Sequence, residues 1–285
     1  MGPRIRVQDL SLAVRTHRRE QDLAIAEEVI HHDCYQLRPL RMARKRMSVI
    51  LDVGGHIGAF GVFAKTLWPE AFLVAVEPNK ESAALYRENL DLNGIEGAIV
   101  LEAALSYNPR KQVLVGDKRS TGGCVLVDVE EANRLQTIPV DHEANRYRVI
   151  EREVPTVTLE QIFDHLNLDE ISLMKLDCEG SEFDLFQAVS ESCSTKVKLI
   201  LGEYHAQGGF ERFALDARRA FPHLYFFGDS PQHIGPFWAL PSMFFAARYS
   251  FARQLNRARR KLFVRPREPQ TEEASTPRHA QPELY

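Results

Sequence analysis

The sequence predicts an α/β fold in which helices cover both faces of a mostly parallel β-sheet. Two observations support this prediction. From residue 49 onward, short apolar runs of strand length alternate with amphipathic segments of helix length. Several of the strand-like runs end in glycines or acids. Because ligands bind beyond the carboxyl ends of parallel strands, where the strand order reverses, those residues are the first candidates for a functional site.

The predicted elements follow one another in order along the chain. The strand-like runs are VILDV, FLVAVEP, AIVLEAAL, KQVLVGD, ISLMKLD, VKLILGEYH, HLYFFG and PFWALP. The helix-like segments are residues 58–67, KESAALYRENLDLNG, TLEQIFDHL, SEFDLFQAVSE and FERFALDARRAF. Asn93-Gly94 marks a helix stop, and Thr158 with Gln161 has the spacing of a capping box.

Three regions are predicted around these elements. Residues 1–47 form an N-terminal helical annex, because DLAIAEEVIHH has helical spacing. Residues 48–250 form the main domain, in which the polar stretch 116–153 predicts an inserted hairpin or long loop. Residues 251–285 hold the basic end of a helix and a Pro-rich, polar tail that is predicted to be disordered.

Composition and charge are typical of a globular protein. The 285 residues are 44% hydrophobic and carry a formal net charge of −3, which argues against nucleic acid as a partner. No apolar run approaches the roughly 18 residues of a membrane span. The four cysteines lack paired metal spacing and are predicted to be free thiols. With no signal-peptide pattern at the N-terminus, we expect a cytoplasmic protein.

The run VILDVGGHIGAF predicts a strand, a glycine turn and a helix. Gly54, Gly55 and Gly58 permit positive φ and the close approach of a ligand. The helix that follows would aim free N–H groups at an anionic group. Tight packing of strand against helix explains the same glycines, so the turn alone leaves both interpretations open. His56, within the turn, is predicted to shape the backbone or line a cofactor.

An acid follows the next strand. Glu77 comes about 25 residues after Asp52, where a carboxylate accepts hydrogen bonds from the ribose of a nucleotide. The glycines do not follow the G-x-G-x-x-G spacing of dinucleotide-binding folds, because its first position would fall on Asp52 or Val53.

DVGGHIG followed by VAVEPN resembles the cofactor site of class I S-adenosylmethionine-dependent methyltransferases. NLDLNG, AALSY, VPTVTLEQI and LMKLDCEGSE narrow the resemblance to the FkbM family, over residues 49–205. The resemblance implies a Rossmann-like sandwich with a mostly parallel, seven-stranded sheet. It also implies S-adenosylmethionine as cofactor and O-methylation of a hydroxyl on a sugar or secondary metabolite, so that the partner is a small-molecule or glycan acceptor.

The resemblance also implies roles for particular residues. The residues expected around the cofactor are Asp52, Gly54, Gly55 and Gly58 near its methionine part, Glu77 on the ribose, Pro78 and Asn79 in the turn, and Ala103 and Ala104 beside the adenine. Tyr107 stands where the family usually has an acid, and it is a candidate to stack on the adenine.

Two strand ends supply the predicted catalytic residues. Asp177 and Glu179 follow LMKL, whereas Glu203 and His205 end GEYH. We expect His205 to act as the base that deprotonates the acceptor, and Asp177 or Glu179 to orient the acceptor. Asp177, Glu203 and His205 also form a set that suits a divalent metal, but their spacing does not require one and no metal is predicted.

The neighbouring polar residues are given structural roles. Lys175 is expected to form an ion pair with an acid. Ser181 is a candidate cap of the following helix, and Glu182 and Asp184 are expected only to occupy its first turn.

Two further classes of protein stay open as alternatives. An NAD(P)-dependent oxidoreductase shares the layered fold and the ribose acid, but the sequence lacks its glycine spacing and a suitably placed Tyr-x-x-x-Lys pair. A non-catalytic cofactor-binding module is the other, against which the acids at 177, 179 and 203 count. A nucleic-acid methyltransferase would need a basic groove or a Pro-Pro-aromatic run, and neither is evident.

Overall fold

The computed structural model describes residues 3–108, 111–117, 123–137, 147–151, 153–205, 209–228 and 234–263. The strands of this part are β1 (Arg4–Val7), β2 (Leu10–Ala13), β3 (Val49–Val53), β4 (Phe72–Val76), β5 (Ala98–Leu101), β6 (Ala104–Leu105), β7 (Lys111–Asp117), β8 (Cys124–Asp128), β9 (Tyr147–Glu151), β10 (Thr156–Val157), β11 (Leu173–Leu176), β12 (Ile200–His205), β13 (Tyr225–Gly228) and β14 (Ile234–Leu240).

The α-helices of the same part are α1 (Arg19–Ala26), α2 (Leu37–Ala43), α3 (Ala59–Leu67), α4 (Lys80–Leu92), α5 (Val129–Gln136), α6 (Leu159–His165), α7 (Glu182–Ala188), α8 (Glu191–Ser194), α9 (Gly209–Ala220) and α10 (Met243–Phe263). A 3₁₀ turn (Thr16–Arg18) precedes α1, and a π-helical turn (Glu27–His31) follows it. None of the described helices is both long and apolar enough to cross a membrane.

The seven-stranded sheet that the sequence predicts is present. Its strand order is β13-β14-β12-β11-β3-β4-β5, and only β14 runs antiparallel to its neighbours. The chain proceeds outward from β3 through β4 to β5, then returns to place β11 on the other side of β3. The order therefore reverses between β3 and β11, which makes their carboxyl ends the expected ligand edge.

Alternation along the central strands divides the apolar core between the two faces of the sheet. Ile50 of β3 belongs to a core with Phe60 and Phe63 of α3. Its neighbours Val49 and Leu51 belong to a second core, which includes residues of α6, α7 and α9. Successive side chains of a strand point to opposite faces, so a strand of apolar residues throughout supplies both cores and requires helices on each side.

The sequence predicted a helical N-terminal annex, but the structure shows that the annex also contains strands. It begins with an antiparallel hairpin of β1 and β2, in which Ile5 and Val7 are buried while Arg4 and Arg6 are exposed. This alternation with a period of two residues is the signature of a strand, and it precedes the helical spacing of α1. The Asn89 side chain on α4 bonds both the N–H and the carbonyl of Ala13, which fixes the hairpin to the main domain.

The inserted stretch contains more structure than a hairpin or loop. β7, β8 and β9 form a separate antiparallel sheet of order β8-β7-β9, and α5 lies between β8 and β9 in the chain. The predicted strand AIVLEAAL is divided into β5, which joins the large sheet, and β6, which pairs with β10. The parts of the insertion at 118–122, 138–146 and 152, and the predicted disordered tail at 264–285, lie outside the described residues.

The local helix signals are confirmed. Thr158 and Gln161 form the reciprocal capping box at the start of α6, with each side chain accepting from the backbone N–H of the other. α4 ends at Leu92, and Gly94 takes the positive φ of 61° that a helix stop requires.

Candidate cofactor and acceptor site

A cavity of about 380 Å³ opens at the carboxyl ends of β3, β4, β11 and β12. This volume lies within the usual range of small-molecule sites. The N-terminal segment and the inserted sheet close it from outside the main domain, through Ile25, Glu28, Tyr35, Leu114, Cys124 and Leu126. The predicted residues that line it are Gly54, Gly55, His56, Glu77, Pro78, Ala104, Asp177, Glu179 and Glu203, whereas Asp52, Gly58, Asn79, Ala103 and His205 do not.

The glycine turn after β3 is built around one tyrosine. Tyr86 of α4 is fully buried beneath the turn. A Cβ added at Gly55 would lie 2.5 Å from the Tyr86 ring, and one added at Gly58 would lie 2.3 Å from it. Gly58 also has a φ of 89°. Packing against Tyr86 therefore explains these two glycines, and of the pair only Gly55 also faces the cavity.

Asp52 lies under the same turn and outside the cavity wall. Its Oδ2 accepts a hydrogen bond of 2.7 Å from the Tyr86 hydroxyl, and its Oδ1 lies 3.5 Å from Lys175 Nζ. Burial raises the pKa of Asp52, against the opposing charge of Lys175. The predicted ion pair of Lys175 is confirmed, and its Nζ also donates to the carbonyl of Gly54 at 2.6 Å. Asp52 thus holds the turn in place from below and does not line the cavity.

Glu77 is fixed at the end of β4 by two backbone donors. Its Oε2 accepts from the N–H of His56 at 2.7 Å, and its Oε1 accepts from the N–H of Asn79 at 2.9 Å. The side chain of Asn79 caps α4 by accepting from the N–H of Ser82. Burial raises the pKa of Glu77, while the two N–H donors lower it. The carboxylate is therefore held rigidly at the cavity wall, with only 6% of the residue exposed.

The N-terminal segment supports the turn through an arginine that sequence analysis missed. Arg15 is buried, and its Nη1 lies 2.6 Å from Asp22 Oδ1 and 3.0 Å from His56 Nε2. Its Nη2 donates to the hydroxyl of Ser82. His56 takes a positive φ of 50° and donates its N–H to Glu77. Arg15 thus braces the residue that orients the predicted ribose acid.

Asp177 sits at the end of β11 with two cationic or hydrogen-donating neighbours. The Tyr35 hydroxyl donates to its Oδ2 at 2.7 Å, and Lys175 Nζ lies 3.5 Å from the same oxygen. Burial would raise the pKa of Asp177, but Lys175, His205 and the Tyr35 hydroxyl lower it below its ordinary value. The carboxylate is consequently anionic. Tyr35 had no signal in the sequence, since it lies 142 residues from its partner.

His205 lies among carboxylates. Its Nδ1 is 3.1 Å from Glu182 Oε1, and its Nε2 is 3.5 Å from Glu179 Oε2. Burial lowers the pKa of His205, but the hydrogen bond and charge of Glu182, with the charges of Glu179 and Asp177, raise it to about 9. The imidazole is therefore protonated at neutral pH in these surroundings.

Glu182 is a buried partner of His205, a role that the sequence analysis did not predict. It is fully buried, and its Oε1 also accepts from the N–H of Cys178 at 3.1 Å. Ser181, the predicted cap, makes no side-chain cap hydrogen bond at the start of α7. Glu182 does lie in the first turn of α7, but the prediction that it has no further role is wrong, because its Oε1 also contacts His205 Nδ1.

Tyr107 does not face the cavity. Its hydroxyl donates to Glu160 Oε2 and accepts from the N–H of Leu159, so that it anchors the start of α6. The idea that it stacks on an adenine is not supported by this position.

Comparisons with known proteins place the chain among methyltransferases. A profile described as "Methyltransferase FkbM domain" matches residues 52–232. Methyltransferase 1 of Beauveria bassiana (strain ARSEF 2860) is 24% identical over 171 residues, covering 59% of this chain and 67% of that protein. Methyltransferase sdnD of Sordaria araneosa is 27% identical over 187 residues, covering 59% of this chain and 68% of that protein.

Among solved structures, the precorrin-6y C5,15-methyltransferase from Geobacter metallireducens GS-15 superposes with a TM-score of 0.40 at 10% identity, over 74% of this chain and 88% of that one. The strand order and the family match together define a methyltransferase with the class I α/β fold. Within that class, the chain belongs to the family of methyltransferase FkbM domains.

Proposed function

We propose that the chain transfers the methyl group of S-adenosylmethionine to a hydroxyl oxygen of a small molecule, such as a sugar or secondary metabolite. The observation that carries this proposal is one continuous cavity, which joins the predicted cofactor residues to the carboxylates of the second constellation. Gly54, Gly55 and Glu77 lie on one wall, and Asp177 and Glu203 lie on another. A cofactor and an acceptor placed against these walls would meet inside the cavity.

The cofactor side has the features that a sulfonium nucleoside needs. Glu77 presents a fixed carboxylate at the wall, which suits the two hydroxyls of a ribose. The start of α3 carries no side-chain cap, so the first-turn N–H groups are suited to the carboxylate of a methionine moiety. S-adenosylmethionine supplies an activated methyl group, and the residues of this chain would bind and align it.

The acceptor side is bounded by residues from outside the large sheet. Tyr35 and Glu28 of the N-terminal segment and Leu126 of the inserted sheet face the same space. This enclosure excludes water and holds the acceptor in line with the methyl group. Alignment of this kind supplies on the order of 7–11 kcal/mol of the barrier reduction.

The proton of the acceptor hydroxyl requires a basic group at the cavity wall. The sequence prediction assigned this role to His205, but a protonated imidazole has no free lone pair to accept a proton. Glu179 lines the cavity and lies 3.5 Å from His205 Nε2. We therefore assign the proton to the Glu179 carboxylate, which lies beside His205.

An acceptor screen tests this proposal. Purified protein is incubated with methyl-labelled S-adenosylmethionine and a panel of free sugars, nucleotide-linked sugars and phenols. We expect formation of S-adenosylhomocysteine that depends on one acceptor class, and a methyl ether in the NMR spectrum of the product. Label attached to nitrogen or carbon would contradict O-methylation, and absence of S-adenosylhomocysteine across the whole panel would contradict the proposed transfer.

A further inference from the structure

We propose that Asp177, Glu203 and His205 form a binding site for a divalent transition-metal ion, such as Mn²⁺, Fe²⁺ or Zn²⁺, at the acceptor end of the cavity. The sequence spacing alone did not require a metal, and none was predicted. The fold changes the argument, because it places donor atoms of all three residues within 4.8 Å of one another.

The distances suit a common ion. Carboxylate oxygens and imidazole nitrogens bind such metals at about 2.1 Å, so two donors of one ion lie at most about 4.2 Å apart. Small side-chain rotations close the remaining gap. Asp177 and Glu203 come from neighbouring strands of the sheet and His205 follows Glu203 by two residues, so the backbone of the three donors is fixed by β11 and β12. A site on paired strands is more rigid than one on a loop.

The contact between His205 and Glu182 is the second observation that supports a metal site. Metal-binding histidines commonly donate the ring N–H that does not face the metal to a carboxylate, which fixes the tautomer and the ring orientation. Here the fully buried Glu182 lies 3.1 Å from Nδ1, and Nε2 is thereby turned toward the carboxylates. Glu182 Oε2 is buried without a hydrogen-bond partner among the described residues. The Glu182–His205 pair is thus arranged as an outer carboxylate and an inner ligand.

The local charge also favours a cation. Asp177, Glu179, Glu182 and Glu203 converge here. Lys175 Nζ lies 3.5 Å from Asp177, and the His205 ring lies within 3.5 Å of Glu179 and Glu182. Lys175 is shared with Asp52 on its other side. The Glu203 carboxylate makes no hydrogen bond or ion pair with another residue that the structure describes. A divalent ion bound by Asp177, Glu203 and His205 would offset this excess of negative charge.

One imidazole and two carboxylates define the class of ion. Carboxylates alone suit Mg²⁺ and Ca²⁺, whereas imidazole suits Fe²⁺, Zn²⁺ and their neighbours, so the mixed set favours Mn²⁺, Fe²⁺ or Zn²⁺. Its role rests on the proposed function: an ion beside Asp177 and Glu203, which line the cavity, would bind and polarise the acceptor oxygen. The binding of the ion itself requires neither cofactor nor turnover.

Titration with MnCl₂, followed through the electron paramagnetic resonance signal of free Mn²⁺, tests the site in the cofactor-free protein. We expect one Mn²⁺ per chain, with affinity lowered at least about tenfold by Glu203→Gln and by His205→Gln. Glu182→Gln should lower it about 10- to 100-fold, as loss of an outer carboxylate does. Glu28→Gln, which removes a carboxylate from the same cavity but outside the donor set, should lower the affinity much less than Glu203→Gln does.

Two results would overturn the metal site. One is a wild-type protein that leaves the Mn²⁺ signal unchanged, and the other is a loss of affinity in Glu28→Gln as large as in Glu203→Gln. Urea unfolding of each variant shows whether it is folded, and His205→Gln and Glu203→Gln provide two independent routes to the same answer. Because Mn²⁺ is measured without S-adenosylmethionine, failure of the metal site is distinguishable from failure of methyl transfer.

Discussion

Tyr86 is the residue that explains why the turn after β3 needs glycines. Its ring fills the space in which Gly55 and Gly58 would carry side chains, and its hydroxyl holds Asp52. The turn is therefore shaped by packing from below, and this shape brings His56 to Glu77 above it. The two interpretations that the sequence left open are thus linked: the packing glycines produce the backbone that the binding residues need.

A comparison of Gly58→Ala with Gly94→Ala tests this packing. Both glycines have positive φ, but an added Cβ meets the Tyr86 ring at Gly58 and nothing within 4 Å at Gly94. Each substitution should cost about 1–2 kcal/mol for the left-handed backbone. Gly58→Ala should lower the free energy of unfolding by about 1–3 kcal/mol more, because of overpacking. Equal losses in urea unfolding would show that Tyr86 does not constrain the turn.

At the scale of elements, the N-terminal hairpin and the helix that follows it are part of the site. Arg15, just after β2, reaches Asp22 of α1, the Ser82 hydroxyl on α4 and His56 in the turn. Three separate segments therefore meet on one buried guanidinium. Removing one partner of a buried charge network leaves the others unpaired, which is more costly than losing an exposed ion pair.

The prediction for this element concerns Arg15→Gln. It should lower the free energy of unfolding by about 3–5 kcal/mol, because Asp22 would remain buried without its cation. Arg4→Gln is the matched control in the same hairpin, since Arg4 is exposed and its ion pair with Glu88 is long, at 3.9 Å. The control should change stability by less than about 1 kcal/mol. A similar effect of both substitutions in urea unfolding would refute the bracing role of Arg15.

At the scale of the whole molecule, local patterns predicted the strands of the large sheet, the helices between them and the capping box of α6, but not the N-terminal hairpin or the inserted sheet. The strand-end rule predicted that Glu77, Asp177 and Glu203 face one cavity, because parallel strands deliver their carboxyl ends to the same edge. Contacts between segments that are distant along the chain could not be predicted from the sequence. Tyr35 meets Asp177 across 142 residues, and Arg15 meets Ser82 across 67, so neither leaves a periodic signal.

The burial of particular polar side chains was the second feature that could not be predicted from the sequence. Glu182 and Asp52 have carboxyl side chains, which the sequence pattern alone assigns to a surface or to a ligand site. Both side chains are fully buried, and each has a specific partner: Glu182 contacts His205, and Asp52 accepts a hydrogen bond from Tyr86. Such pairing depends on packing in three dimensions, and the helical position of Glu182 alone gave the wrong expectation.

Calorimetric titration with S-adenosylhomocysteine most directly tests the central claim, that the turn after β3 and Glu77 hold a sulfur-containing nucleoside. We predict that the wild type binds it in preference to NAD. Glu77→Gln should weaken binding about 10- to 100-fold through loss of charge-assisted hydrogen bonds, whereas Glu102→Gln, an exposed acid after β5, should not. Preference for NAD, or unchanged affinity in Glu77→Gln, would contradict the account.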